Sequence, residues 1–140
     1  MVRIYPDMGH WMQLKDAESL PWMAKFNRNP WPKKIIWQQS KGINSRFYWL
    51  QIPENNLSKG QRVEAEVEGN IIRIKTENVS QLIIRLSDHL VDLDKQIKIS
   101  ANGQDKFNGK ISRSAREIIK SLDQRADPRS VATAVVSLKL

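Results

Sequence analysis

The stretch from Gln61 to Lys75 constrains the fold more than any other part of the chain. Val63, Ala65 and Val67 alternate with Arg62, Glu64, Glu66 and Glu68; Gly69-Asn70 interrupts, and Ile71 to Lys75 resumes the pattern. Side chains two apart share one face of a strand, so the alternation makes one apolar face and one charged face. Gly-Asn accepts the left-handed backbone that a two-residue hairpin turn requires. The apolar face of such a hairpin has to be covered by a second layer.

Further short segments carry the same signal. Ile35-Ile36-Trp37, Arg46 to Ile52, Leu82 to Leu86, Gln96 to Ser100, Lys106 to Ile111 and Val131 to Leu140 read as strands, and Asn102-Gly103 marks a second hairpin. One helix interrupts them. Ser114-Ala115-Arg116-Glu117 has capping-box spacing, Ile118, Ile119 and Leu122 supply an apolar stripe, and Asp127-Pro128 ends the run. Nearer the amino end, Asp16 is placed to cap a short helix reaching Phe26 through Leu20, Trp22 and Met23, with Pro21 limiting its length. Asn27-Arg28-Asn29-Pro30-Trp31-Pro32 then reads as a stiff linker. The expected fold is mainly β, an antiparallel, immunoglobulin-like β-sandwich with a short N-terminal helical extension and one helix between late strands. Residues 1–32 form the extension and 33–140 the sandwich.

Composition narrows the function classes. A length of 140 residues suits a single domain, and no apolar run is long enough to cross a membrane as a helix. A basic start followed by an apolar core and a small-residue cleavage site is not found, so no signal peptide is expected. The absence of Cys excludes disulfides, thiolate catalysis and thiolate metal sites, and leaves the compartment open. The net charge of +8 comes from basic residues mixed with acids along the whole chain, which reads as a solvated basic surface. Asp88, Asp92 and Asp94 lack the glycine and terminal glutamate of a calcium loop, and His10 and His89 make a poor zinc pair, so no metal or other cofactor is expected. His89 reads as a solvated turn residue.

The aromatic residues are spread very unevenly. Trp11, Trp22, Trp31, Trp37 and Trp49 all precede residue 50, as do both Tyr and two of the three Phe; only Phe107 lies downstream. Rings are the heaviest apolar load a small domain carries. Trp11, Trp22, Phe26 and Trp31 are therefore expected at the surface of the isolated chain, as an interface for a partner or for a second copy.

Tyr5-Pro-Asp-Met-Gly-His10-Trp-Met12, continued by Leu20-Pro-Trp-Met-Ala-Lys-Phe26 and Arg28-Asn-Pro-Trp-Pro32, resembles the C-terminal end of certain bacterial α/β-hydrolase esterases. The continuation Arg46-Phe-Tyr-Trp-Leu50, with Leu86-Ser-Asp88 and Val91-Asp-Leu-Asp94, is similar to a β-sandwich appended after the catalytic core in some of them. The resemblance implies that His10 occupies the position of the catalytic-triad base. It also implies a hydrolase catalytic domain as partner in the same polypeptide, with this chain as its non-catalytic accessory module. None of the twelve Ser residues lies in a Gly-x-Ser-x-Gly elbow, and only Asp7 precedes His10 closely. The chain alone is thus expected to have no esterase activity. Two other classes remain open. Arg46-Phe47-Tyr48-Trp49 with Lys33, Lys34 and Lys41 has the basic-aromatic mixture of a nucleic-acid surface, and the Trp content also fits sugar stacking.

Overall fold

The structure, a computed structural model, describes residues 4, 6–9, 13–40 and 43–140. A five-residue helix, α1 (Ser19–Met23), opens the regular structure. β1 (Lys34–Gln38) follows, then β2 (Arg46–Phe47) and β3 (Leu50–Gln51). The alternating segments around Gly69-Asn70 become β4 (Arg62–Glu68) and β5 (Ile71–Glu77), and β6 (Gln81–Leu86), β7 (Ile97–Ala101) and β8 (Gln104–Gly109) come next. α2 (Ala115–Arg125) precedes the last strand, β9 (Ala134–Lys139).

The strands form two sheets, β1-β4-β5-β7-β8 and β2-β3-β6-β9. One apolar cluster joins them. Ile35, Val63, Ile72, Ile74, Ile97 and Ile99 point inward from the first sheet, and Leu50, Leu82, Ile84, Leu86, Val136 and Leu138 from the second. The molecule is therefore mainly β and two-layered, as the alternation predicts.

Four local expectations are corrected. The sheets are not wholly antiparallel, because β5 and β7 pair in parallel, Ile71 opposite Lys98 through Ile74 opposite Ala101. The chain leaves β6 in one sheet, crosses through residues 87–96, and enters the other sheet running the same way as β5. Asn70, at the tip of the β4–β5 hairpin, receives it: its amide donates to the Asp92 and Gln96 carbonyls at 2.7 and 3.0 Å and accepts from the Asp92 N–H at 2.9 Å.

Arg46 to Ile52 is likewise not one strand. Tyr48 sits at φ 52°, in the left-handed region, and the chain folds back so that Phe47 pairs with Leu50 and Arg46 with Gln51. At the amino end, α1 starts after Glu18 with no side-chain cap, so Asp16 does not serve as its N-cap. In α2, Ser114 makes no side-chain cap, and the expected apolar stripe is covered only in part: Ile118 is half-buried, while Ile119 and Leu122 are exposed. Ile119 is 60% exposed, whereas Ser121 is the helix's buried residue.

Trp31 provides the largest correction. Expected at the surface, it is 6% exposed and lies in the core with Trp37 and Trp49. Its indole N–H donates to the Arg129 carbonyl at 2.9 Å, and its backbone N–H donates to the Asn29 side chain at 2.9 Å. The Trp49 indole donates to the Pro32 carbonyl at 2.8 Å, and Arg28 pairs with Asp127. Two of the three buried indoles, Trp31 and Trp49, have thus found backbone acceptors. The segment from Arg28 to Pro32 is thereby held against the sandwich.

Candidate functional site

His10 and Trp11, the first candidates on sequence grounds, lie outside the described residues, as does Lys41. Asp7, the acid nearest His10 in sequence, is exposed in a turn at φ 57°. Among the described residues, no group of three or more His, Cys, Asp or Glu side chains is arranged to hold a metal ion.

The Asp88, Asp92 and Asp94 carboxylates are instead engaged by cations. Arg113 forks between Asp88 and Asp94, with contacts of 2.6 and 3.0 Å to the first and 2.7 and 3.1 Å to the second. Those hydrogen bonds hold both carboxyls below the usual carboxylate range and raise Arg113 above its ordinary value. Asp92 is lowered in the same way by its bond to Lys95. The cluster ties residues 88–94 to the segment before α2.

His89 borders an open cleft of about 590 Å³ whose other walls are Asn29, Pro30, Trp31, Lys33, Pro128 and Arg129. The Lys33 ammonium is directed to the Leu90 carbonyl, so it closes one side of the loop rather than standing clear of it. The Trp31 ring there is almost fully buried, which leaves little ring surface for a ligand.

The remaining ring candidates separate by burial. Trp22 and Phe26 touch edge to face at 4.7 Å and are 39% and 63% exposed. α1 has no buried residue, and Leu20 and Met23 beside them are exposed too. In the basic-aromatic segment, Trp49 is completely buried, while Phe47 stacks on Trp37 at 6.0 Å and meets Tyr48 edge-on at 4.9 Å. These rings therefore pack on one another, and Trp49 is absent from any stacking surface.

A cationic cluster lies on the outer face of the four-stranded sheet, where sequence spacing offered no warning. Arg85 of β6 is 1% exposed; its Nη2 donates to the Ser121 hydroxyl at 2.6 Å, and its Nε is buried with no partner. Arg46 of β2 donates to the Tyr48 carbonyl and the Gln124 amide oxygen at 3.4 and 3.2 Å. Burial first, and then the charges of Arg85 and Arg125, bring the Arg46 pKa down to about 10. Burial also lowers Arg85, against a smaller opposing influence from Glu117. The one local cue was the strand Leu82-Ile83-Ile84-Arg85-Leu86, whose alternation puts Arg85 on the face opposite Leu82, Ile84 and Leu86.

Comparison with family models, with curated proteins and with solved structures finds no match to this chain.

Proposed function

We propose that the chain is a non-catalytic accessory module, an immunoglobulin-like β-sandwich that packs on a serine-hydrolase-like, esterase-type catalytic body through its amino-terminal segment. One observation carries the reading. α1 presents Leu20, Trp22 and Met23 to solvent and buries none of its residues, and Phe26 just beyond it is exposed too. A helix this short is not stable on propensity alone and ordinarily derives its order from packing an apolar face. Contiguous exposed apolar groups of this kind mark interaction surfaces in soluble proteins. The resemblance of residues 5–32 to an esterase tail supplies the identity of the partner, with His10 as the base it would contribute and Trp11 beside it. Trp31 drops out of the proposed interface, since its ring is already enclosed; it serves instead as the anchor that holds the docking segment to the sandwich.

The test pairs Trp22→Ser with Phe26→Ser. The double variant should keep the parent unfolding temperature to within about 2 °C, because neither ring is in the core. The parent chain should self-associate with rising concentration and bind a hydrophobic dye, and the double variant should lose both. A parent chain that stays monomeric, binds no dye and behaves like the variant would remove the docking surface. In the same preparation a short-chain aryl ester should remain uncleaved; hydrolysis abolished by His10→Ala would show that the module is catalytic after all.

A further inference from the structure

The arginine cluster is independent of the α1 surface and points to a ligand of its own. Strand register sets Arg46 opposite Gln51, and Gln51 opposite Ile83, along the outer face of the four-stranded sheet. Arg85 follows two residues beyond Ile83 on that same face. α2 lies over both arginines. Ser121 accepts from Arg85 and Gln124 accepts from Arg46; with Arg125 these residues stand at i, i+3 and i+4 and share one side of the helix.

Every acceptor found for the two guanidiniums is neutral: a hydroxyl, a side-chain amide and a backbone carbonyl. Among the described residues, none of Arg46, Arg85 and Arg125 is within ion-pair distance of a carboxylate. Glu117 is the acid whose charge reaches Arg85. A guanidinium does not shed its proton at any physiological pH, so the cluster sets three positive charges against one negative. A buried, uncompensated cation with an idle N–H is costly unless something neutralises it.

We propose that the cluster of Arg46 and Arg85 on the sheet and Arg125 at the end of α2 is a binding site for a phosphate group, free or carried on a small phosphomonoester. Phosphate is a compact dianion that matches the excess of two charges. Its oxygens accept the paired N–H geometry of several arginines at once, and the orphaned Nε of Arg85 gains a partner. Arg125 is exposed and Arg46 half-buried, so these two form the solvent side of the site and Arg85 its floor.

Thermal unfolding at constant ionic strength tests this, with inorganic phosphate and phenyl phosphate compared against chloride. With phosphate at about a hundred times its dissociation constant, the parent chain should unfold about 5–10 °C higher than in chloride. Arg125→Gln lies on the surface and should fold normally, yet raise the half-saturating phosphate concentration about tenfold or more. Arg46→Gln should behave likewise, and Arg73→Gln on the other sheet should match the parent. Arg85→Met should unfold no lower than the parent in chloride and should no longer respond to phosphate; if it fails to fold, Arg46→Gln and Arg125→Gln decide the matter. A response to both probes assigns the site to phosphomonoesters, and a response to inorganic phosphate alone assigns it to the free ion. An identical response in parent, Arg46→Gln and Arg125→Gln, or no response beyond chloride, overturns the proposal.

Discussion

The outer faces of the two sheets handle charge in opposite ways. On the five-stranded sheet, acids and bases face one another across neighbouring strands: Glu64 stands opposite Lys75 and Glu66 opposite Arg73. Lys34 reaches Glu66 at 4.0 Å, Arg73 reaches Glu68 at 2.9 Å, and Lys98 reaches Asp105 at 2.8 Å. All of these are exposed to water, where such pairs are individually weak and collectively keep the face soluble. The four-stranded sheet has a helix over its outer face and two arginines under that helix, with neutral acceptors. One face is neutralised in the open by its own sequence; the other is covered and left positive. Whatever specificity this sandwich has for small anions therefore belongs to the covered face.

The sharpest way to break that contrast is Ser121→Val. The hydroxyl accepts from Arg85 and from the Ala132 N–H at 3.1 Å, and it donates to the Ala132 carbonyl at 3.3 Å. Its loss leaves buried donors unsatisfied on both the sheet and the chain before β9. A destabilisation of about 3 kcal/mol is expected, read as a fall of roughly 6–12 °C in the unfolding temperature. A near-neutral result would mean that α2 is held by something other than this hub.

Arg113→Ala probes a charged cluster that belongs to neither face. Because Asp88 and Asp94 are held below their ordinary values, the stabilisation they provide is complete above about pH 4 and is lost as the pH falls through their lowered values. The gap in unfolding temperature between parent and variant should be widest above about pH 4 and close as the pH falls through the lowered carboxyl values. A gap that stays constant across that window would show that the fork contributes nothing through ionisation.

Two surface substitutions should have smaller effects. Ile119→Lys should change stability by no more than about 0.5 kcal/mol, since that side chain is 60% exposed. A large loss in chemical denaturation would restore the apolar stripe as the helix's docking face. Glu66→Gln, on the open face, should move the unfolding temperature by about 1 °C or less in physiological salt. A larger shift that disappears in high salt would show that the ladder acts as a network.

The features legible in the sequence are those with a local cause. The β4–β5 hairpin follows from alternation plus Gly69-Asn70, and α2 lies between late strands where Ser114 and Asp127-Pro128 bracket it, although the Ser114 hydroxyl makes no cap. What escaped was set by partners distant in the chain. Nothing near Tyr48 signals a reversal, because the left-handed backbone there is held by a tyrosine rather than by glycine or asparagine. The parallel pairing of β5 with β7 is decided by where a crossover lands. Trp31 sits among prolines that read as linker, yet an acceptor at Arg129 and a place in the core draw it inward. Ser121 is buried in place of Ile119 because Arg85 requires a hydroxyl beneath the helix. The arginine cluster gathers residues 46, 85 and 125, a spacing that carries no local pattern, and its only sequence trace was a charged residue inside an otherwise apolar strand.

Asn70 has a consequence for the placing of the crossover. The β4–β5 hairpin closes over a two-residue turn and needs no distant help, whereas setting Ile71 beside Lys98 requires the chain to return from the opposite sheet. The asparagine stands at that turn, and its side chain holds the returning chain through three hydrogen bonds. A residue placed by a two-residue turn thus fixes Asp92 and Gln96, more than twenty positions away, where the crossover enters the sheet beside β5.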